Sequence, residues 1–379
     1  MSKKNLLLVV SIVVSQKIIS QPIPTFGPEI PVTINGLTFD AMEPSISADG
    51  NHIFFNSINN GTTTSLFYAT RVNDTTFTFS GALSGANQIV NPRLDAVASS
   101  DSANHFFWVS TRNYPNQFDN YFHGTFNGSN ITNISRVHGT FYINSPGWLI
   151  MDAAINYTGN LLYFCNAHFN NCGPIPCEAK LGVAQKQNDS TFNKLSNSDV
   201  LMQYINDTSY VVYAPFITKN GMELYFTRIL KSNLTQSEIC VSYRTDLTSP
   251  FSPPIIIYAS PLIPEAPTLT TDQSKMYYHK KAGSLYKLFL RIRTYTSRIE
   301  ESMDMEGVSI FPNPSTNTVH IIFSKPTTHY SIEIYSLVGQ QVMKIDDKGI
   351  IDISNLESGV YTLTLKQENK SWKTRLVKE

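Results

Sequence analysis

Five stretches of this chain align without a gap, and that repetition constrains its fold more than any other feature. The clearest is Glu43-Pro-Ser-Ile-Ser-Ala-Asp-Gly50-Asn-His-Ile-Phe-Phe55. The others begin at Asp95, Asp152, Ala214 and Ala266. With Gly50, Ser102, Gly159, Gly221 and Gln273 as the register, the spacings are 52, 57, 62 and 52 residues. Each copy is a short strand, a tight turn and a second strand. Asp-Gly, Thr-Gly or Asn-Gly in three of the turns tolerate the positive φ that hairpins need. The second strand opens on an aromatic pair: Phe54-Phe55, Phe106-Phe107, Tyr163-Phe164, Tyr225-Phe226 and Tyr277-Tyr278. Neighbouring residues of a strand face opposite sides, so the two rings of a pair are expected in different inter-sheet layers. Four short strands with turns need about 40–50 residues, the period of a propeller blade.

Composition agrees with such a fold and narrows the partners. Of 379 residues, 29 are Lys or Arg and 29 are Asp or Glu, so the formal charge is zero. Nucleic acid and anionic membranes select clustered positive charge and are therefore not expected as partners. Hydrophobic residues at 41% are enough for sizeable cores, and aromatics at 12% supply bulky packing groups.

The repeat resembles the PD40 or TolB-like propeller motif, whose core reads roughly proline, aromatic, Ser-Pro-Asp-Gly and an aliphatic-aromatic strand. The resemblance covers residues 40–298, and copies two and five lack the turn glycine. It implies an all-β fold. Family members usually have six blades and five copies are counted here, so the blade number stays open between five and six. Residues 22–39 are placed to supply a strand that closes the ring against the last blade.

The N-terminus and C-terminus read as export signals. Residues 1–20 have the pattern of a signal peptide: the basic Ser2–Asn5, the nine-residue apolar run Leu6–Val14, and Ile18 and Ser20 at cleavage positions. No run is apolar for 18 residues, so no transmembrane segment is expected. After residues 21–298 comes an acidic linker, 299–306. Residues 307–379 carry short alternating strands, with Pro312 and Pro314 pinning an extended entry. The motifs Phe311-Pro312-Asn313-Pro314-Ser315, Ile334-Tyr-Ser-Leu-Val-Gly339, Gly359-Val-Tyr361 and Lys373–Lys378 resemble the type A C-terminal sorting domain of the type IX (Por) secretion system of Bacteroidota. That resemblance implies a small Ig-like antiparallel sandwich, the type IX machinery as a partner, and a secreted or outer-membrane-surface address after Sec export.

Export changes how the four cysteines read. Cys172 and Cys177 lie in one loop and form the first-choice bridge, whereas Cys165 and Cys240, both in strand-like runs, either pair or remain buried thiols. Sequence alone does not choose among the three pairings. Zinc is the weaker reading, since no His clusters with these cysteines.

Chemistry is sparse. No nucleophile elbow, metalloprotease helix, phosphate loop or calcium ladder is present. His52 and His105 read as hairpin surface positions, and Trp108, Trp148 and Trp372 as packing residues. The first position of the aligned unit is acidic in three consecutive copies: Glu43, Asp95 and Asp152. If the strand that follows is innermost, these carboxylates gather at one channel mouth, where crowding raises a pKa or binds a cation such as calcium. Three axial acids are similar in arrangement, though in no motif, to those of five-bladed glycosidases. The simpler reading has them accept backbone amides at strand starts, with no catalytic residue and no cofactor. Two functions follow. The first is a non-catalytic binding module for a glycan or peptide, with Tyr, Asn and Thr loops suited to neutral ligands. The second is a carbohydrate-active hydrolase using Glu43, Asp95 and Asp152.

Overall fold

Each repeat becomes one four-stranded antiparallel blade in the computed structural model, which describes residues 24–172, 175–294, 308–323, 329–336, 339–367 and 370–379. The signal-peptide reading of residues 1–20 and the linker 299–306 lie outside the described residues. Two compact units are present, one ending at Thr294 and one beginning at Tyr295.

In the first unit the described residues form five sheets. From inner to outer strand, blade 1 runs Met42–Ile46, His52–Asn56, Leu66–Asn73 and Thr76–Ala82, with Thr33–Asn35 added in parallel at the rim. Blade 2 is Arg93–Ser100, His105–Ser110, Tyr121–Phe126 and Ile131–Arg136. Blade 3 is Trp148–Ile155, Leu161–His168, Glu178–Asn188 and Thr191–Lys194, with His138–Gly139 at its rim. Blade 4 is Tyr210–Ile217, Glu223–Leu230, Asn233–Tyr243 and Ile255–Ser260. Blade 5 is Glu265–Leu269, Lys275–Ala282 and Leu285–Thr294, and its outer edge is filled from the N-terminal side of the chain by Thr25–Phe26 and Ile30–Pro31. The five inner strands contact one another in sequence order, and the fifth contacts the first. The ring is closed and has five blades.

The aromatic pairs explain why the blades stack. Phe54 packs between blades 1 and 2, while its neighbour Phe55 packs between blades 5 and 1. Tyr163 and Phe164, Tyr225 and Phe226, and Tyr277 and Tyr278 divide between adjacent layers in the same way. Each layer thus receives rings from both of its blades, and large aromatic side chains supply most of the apolar area per residue that holds such an assembly. Phe54 and Phe106 meet edge-on at 5.0 Å between centroids.

Blade 2 departs from the gapless alignment. Its turn runs from Asp101 to His105, one residue shorter than the Ser47–His52 turn of blade 1, and Asn104 supplies the positive φ where Gly50 does in blade 1. As a consequence Ser99 pairs with Phe107, as Ser45 pairs with Phe54. The second strand has slipped by one residue, which exchanges the faces of its aromatics. Phe106 therefore points back toward blade 1 and Phe107 forward toward blade 3.

The second unit is a small sandwich. One sheet holds Val308–Phe311, Thr318–Phe323 and Ile350–Asp352, and the other holds Gln341–Asp346, Ser331–Ser336, Gly359–Gln367 and Lys370–Lys378. Val319, Ile321, Ile332, Ile334, Ile351, Leu363 and Leu376 form its core. The role of Asn313 between its two prolines is visible here. Its side-chain amide donates to Arg375 O at 2.6 Å and its Oδ1 accepts from Val377 N at 2.8 Å. The motif thus clasps the final strand as a strand neighbour would. Phe311 stacks on His320, Gly339 adopts φ +79°, and the Tyr361 hydroxyl donates to Glu357 O. Lys373 and Lys378 lie on the closing strand.

Candidate carboxylate cluster at the propeller axis

Every inner strand breaks register once, in four blades at the same height in the ring. In four blades the break carries a left-handed residue: Glu43 (φ 52°), Val97 (φ 54°), Ala214 (φ 50°) and Ala266 (φ 54°). In the third blade the break falls one pair earlier, at Met151, and Asp152 itself pairs with Cys165. A β-branched or acidic residue in that conformation costs on the order of 1–2 kcal/mol, so the surroundings must hold it.

What holds it is a hydrogen bond from the preceding blade. In every blade but the second, whose Trp108 packs back toward blade 1, the first residue past the aromatic pair faces the next blade near these bulges. Asn56 Oδ1 accepts from Val97 N at 3.3 Å, Thr227 Oγ1 accepts from Ala266 N at 3.0 Å, and His279 Nδ1 accepts from Glu43 N at 3.0 Å. The last of these joins blade 5 to blade 1 and closes the ring. Blade 3 offers the Cys165 thiol, which donates to Val212 O at 3.4 Å, while Asp152 itself accepts from Ala214 N.

The bulges set which acids meet. Glu43 and Asp152 are brought within electrostatic reach of each other and of Glu265. Asp95 is not part of this cluster. The blade 2 slip puts Val97 at the ring position and Asp95 two residues before it, where it is fully buried. There Asp95 accepts from Gln88 N at 2.6 Å and pairs with Arg112 at 3.2 Å. Glu265, one residue before the aligned Ala266, takes the third place. Its Oε1 accepts from the Tyr213 hydroxyl at 2.5 Å, and its Oε2 stands 3.3 Å from His279 Nε2. Because Nδ1 is an acceptor, Nε2 carries the ring proton, but it lies off the line a hydrogen bond needs and has no partner.

Burial decides the charge state. Glu43 is 9% exposed and Asp152 2%. Desolvation, with Asp152 and Glu265 adding like charge, holds the Glu43 carboxyl well above its ordinary range. Desolvation also raises Asp152 to about 7; the Ala214 amide opposes the shift and Glu265 adds to it. Glu43 Oε2 and Asp152 Oδ2 are buried without hydrogen-bond partners, a placement a neutral carboxyl tolerates far better than a carboxylate. Tyr213 is pushed far up by burial and by Glu265.

Pro44, Ala98, Ala153, Pro215 and Pro267, one from each blade, line a cavity of about 40 Å³. That is room for a few waters and not for a sugar ring. Among the described residues, no group of three or more His, Cys, Asp or Glu is arranged to hold a metal ion. Away from the axis, a disulfide joins Cys172 to Cys177, and Cys165 and Cys240 are free, buried thiols. Burial, with Asp152 nearby, pushes Cys165 up, and burial takes Cys240 to about 12. Neither is poised as a nucleophile.

Two of the cluster's members escaped the sequence. Glu265 precedes the aligned block, and His279 sits directly after Tyr277-Tyr278. The readable signal was the column past the aromatic pairs, which holds Asn56, Trp108, Cys165, Thr227 and His279.

Residues 309–379 match the secretion system C-terminal sorting domain, so the second unit is a type IX sorting domain and the protein is exported to the cell surface or beyond. No helix among the described residues is long and apolar enough to cross a membrane. No curated protein matches the chain. Among solved structures, a family 117 glycoside hydrolase of Zobellia galactanivorans is 13% identical, covering 71% of this chain and 90% of its own, with a TM-score of 0.44. An α-L-arabinanase of Cellvibrio cellulosa is 12% identical over 67% of this chain and 92% of its own, TM-score 0.44. A TolB-like protein of Agrobacterium tumefaciens is 9% identical over 76% and 84%, TM-score 0.33. Likenesses this distant carry no inference about activity.

Proposed function

We propose that this protein is a non-catalytic binding module, a five-bladed propeller of the PD40 or TolB-like type that is exported through Sec and the type IX system and holds a neutral glycan or peptide outside the cell. The observation that carries this reading is the state of the axial acids. Hydrolysis of a glycosidic bond needs two carboxyl groups flanking an open cleft, one of them ionised as base or nucleophile. Here Glu43 and Asp152 are buried, burial disfavours the charged form of both, and the cavity beside Glu43 has room only for water. Their inter-blade hydrogen bonds give Glu43 a structural role at the ring closure and Asp152 one between blades 3 and 4.

One observation favours a hydrolase. A carboxyl raised to about 7 is a competent general acid near neutral pH, and Glu265, at 16% side-chain exposure, is the most open member of the cluster. The two readings separate in one experiment. Full-length protein is incubated with a panel of soluble polysaccharides, and both retention and release of reducing ends are measured. Retention without release supports the binding module. Release that disappears in Asp152→Asn or Glu265→Gln establishes the hydrolase.

A further inference from the structure

We infer that the ligand site of the propeller is a cleft on the flank of blade 3, away from the axis, and that it takes a neutral sugar ring. This rests on the binding-module reading and adds to it a place and a ligand class. The cleft has a volume of about 300 Å³, at the lower end of small-ligand sites and far larger than the axial cavity.

Its walls are flat and apolar. Tyr142, Trp148 and Phe164 line it, and Trp148 is fixed by stacking on His168 at 4.8 Å with an interplanar angle of 18°. Gly182 forms part of the lining because Phe164 lies against it; a Cβ there would come within 2.3 Å of the Phe164 ring. The rim is charged yet neutral in sum. Lys180 pairs with Glu178 at 2.5 Å, and Lys194 with Asp199 at 2.8 Å. Paired charges present both donors and acceptors without selecting a charged ligand.

Those features suit a saccharide, which has an apolar C–H face and a hydroxylated edge. A peptide would seek a free backbone edge or a free amide, and the cleft's amides are committed. Asn166 bonds Phe141 O and Ile143 N, and Asn206 bonds both Leu181 O and Leu181 N. The loop of residues 169–177 leads directly into the strand that carries Glu178 and Lys180 of the rim. The disulfide closes that loop, and Cys177 N donates to His168 O at 2.9 Å, setting Glu178 opposite the Trp148-bearing strand end.

The test is affinity electrophoresis of the full chain through gels containing xylan, arabinan, laminarin, galactomannan or starch, with casein peptides as competitor. Trp148→Ala and Lys180→Ala are run beside it, each first shown by thermal melting to fold. The expected result is retardation by at least one polysaccharide, weakened roughly tenfold by Trp148→Ala and less by Lys180→Ala. Retardation that both variants preserve places the ligand elsewhere and overturns the inference while the binding module stands. Binding of casein peptides alone overturns the sugar class, and retardation by nothing does the same. Reducing-end release by the wild type overturns the binding-module reading itself.

Discussion

Replacing Asp152 with asparagine should make the propeller more stable than the wild type at alkaline pH, with an advantage that shrinks as pH falls toward 4. Asparagine has the same shape, and its carbonyl can still accept from Ala214 N, so the change removes only the ability to ionise. Burial raises Asp152 from 3.8 to about 7 in the folded chain. A raised folded-state value means that between about pH 4 and 7 the folded chain binds more protons than the unfolded one. Stability therefore falls as pH rises through that window. At about 1.36 kcal/mol for each unit, the loss by pH 8 reaches up to about 4 kcal/mol. For a unit of this size that is a shift on the order of 5–10 °C in melting temperature. Melting of wild type and Asp152→Asn at pH 5, 6.5 and 8 measures it. The wild type should lose stability across the series, and the variant should lose less and melt higher at pH 8. If the variant is destabilised equally at all three, Asp152 is an ionised, bonded carboxylate and the argument for neutral axial acids fails.

Three other outcomes follow from the same structure. Asn56→Ala leaves the Val97 amide without its inter-blade acceptor and should cost about 1–3 kcal/mol in urea unfolding, whereas an exposed control such as Gln203→Ala should cost little. Phe54→Ala empties the layer between blades 1 and 2 and should cost about 3–5 kcal/mol by the same assay. Asn313→Ala removes both bonds to the last strand of the sorting domain; fractionation should find the protein retained in the periplasm, and normal surface delivery would contradict the clasp.

Much of this architecture was legible because it rests on local chemistry. The aromatic pairs announced their two-layer packing, and the Asp-Gly and Asn-Gly turns marked the hairpins. Blade closure by the segment before Met42 was also readable, since a last blade of three strands needs a fourth. The axial cluster was not. Which carboxylates meet depends on register, and copy two, which lacks the turn glycine, has a turn shortened by one residue. That slip carries Asp95 away from the ring position and brings Val97 to it. The gapless alignment hid the change because Phe106 and Phe107 can exchange faces and still fill both layers. Glu265 was invisible for a related reason: the bulge at Ala266 turns its neighbour toward the axis, and no sequence pattern marks a bulge.

The most direct measurement is reducing-end release by the purified full-length protein from the polysaccharides that retard it. The account predicts retention of a glycan with no bond cleavage at any pH from 5 to 8. Cleavage that Asp152→Asn or Glu265→Gln abolishes would contradict it and make the axial acids a catalytic pair.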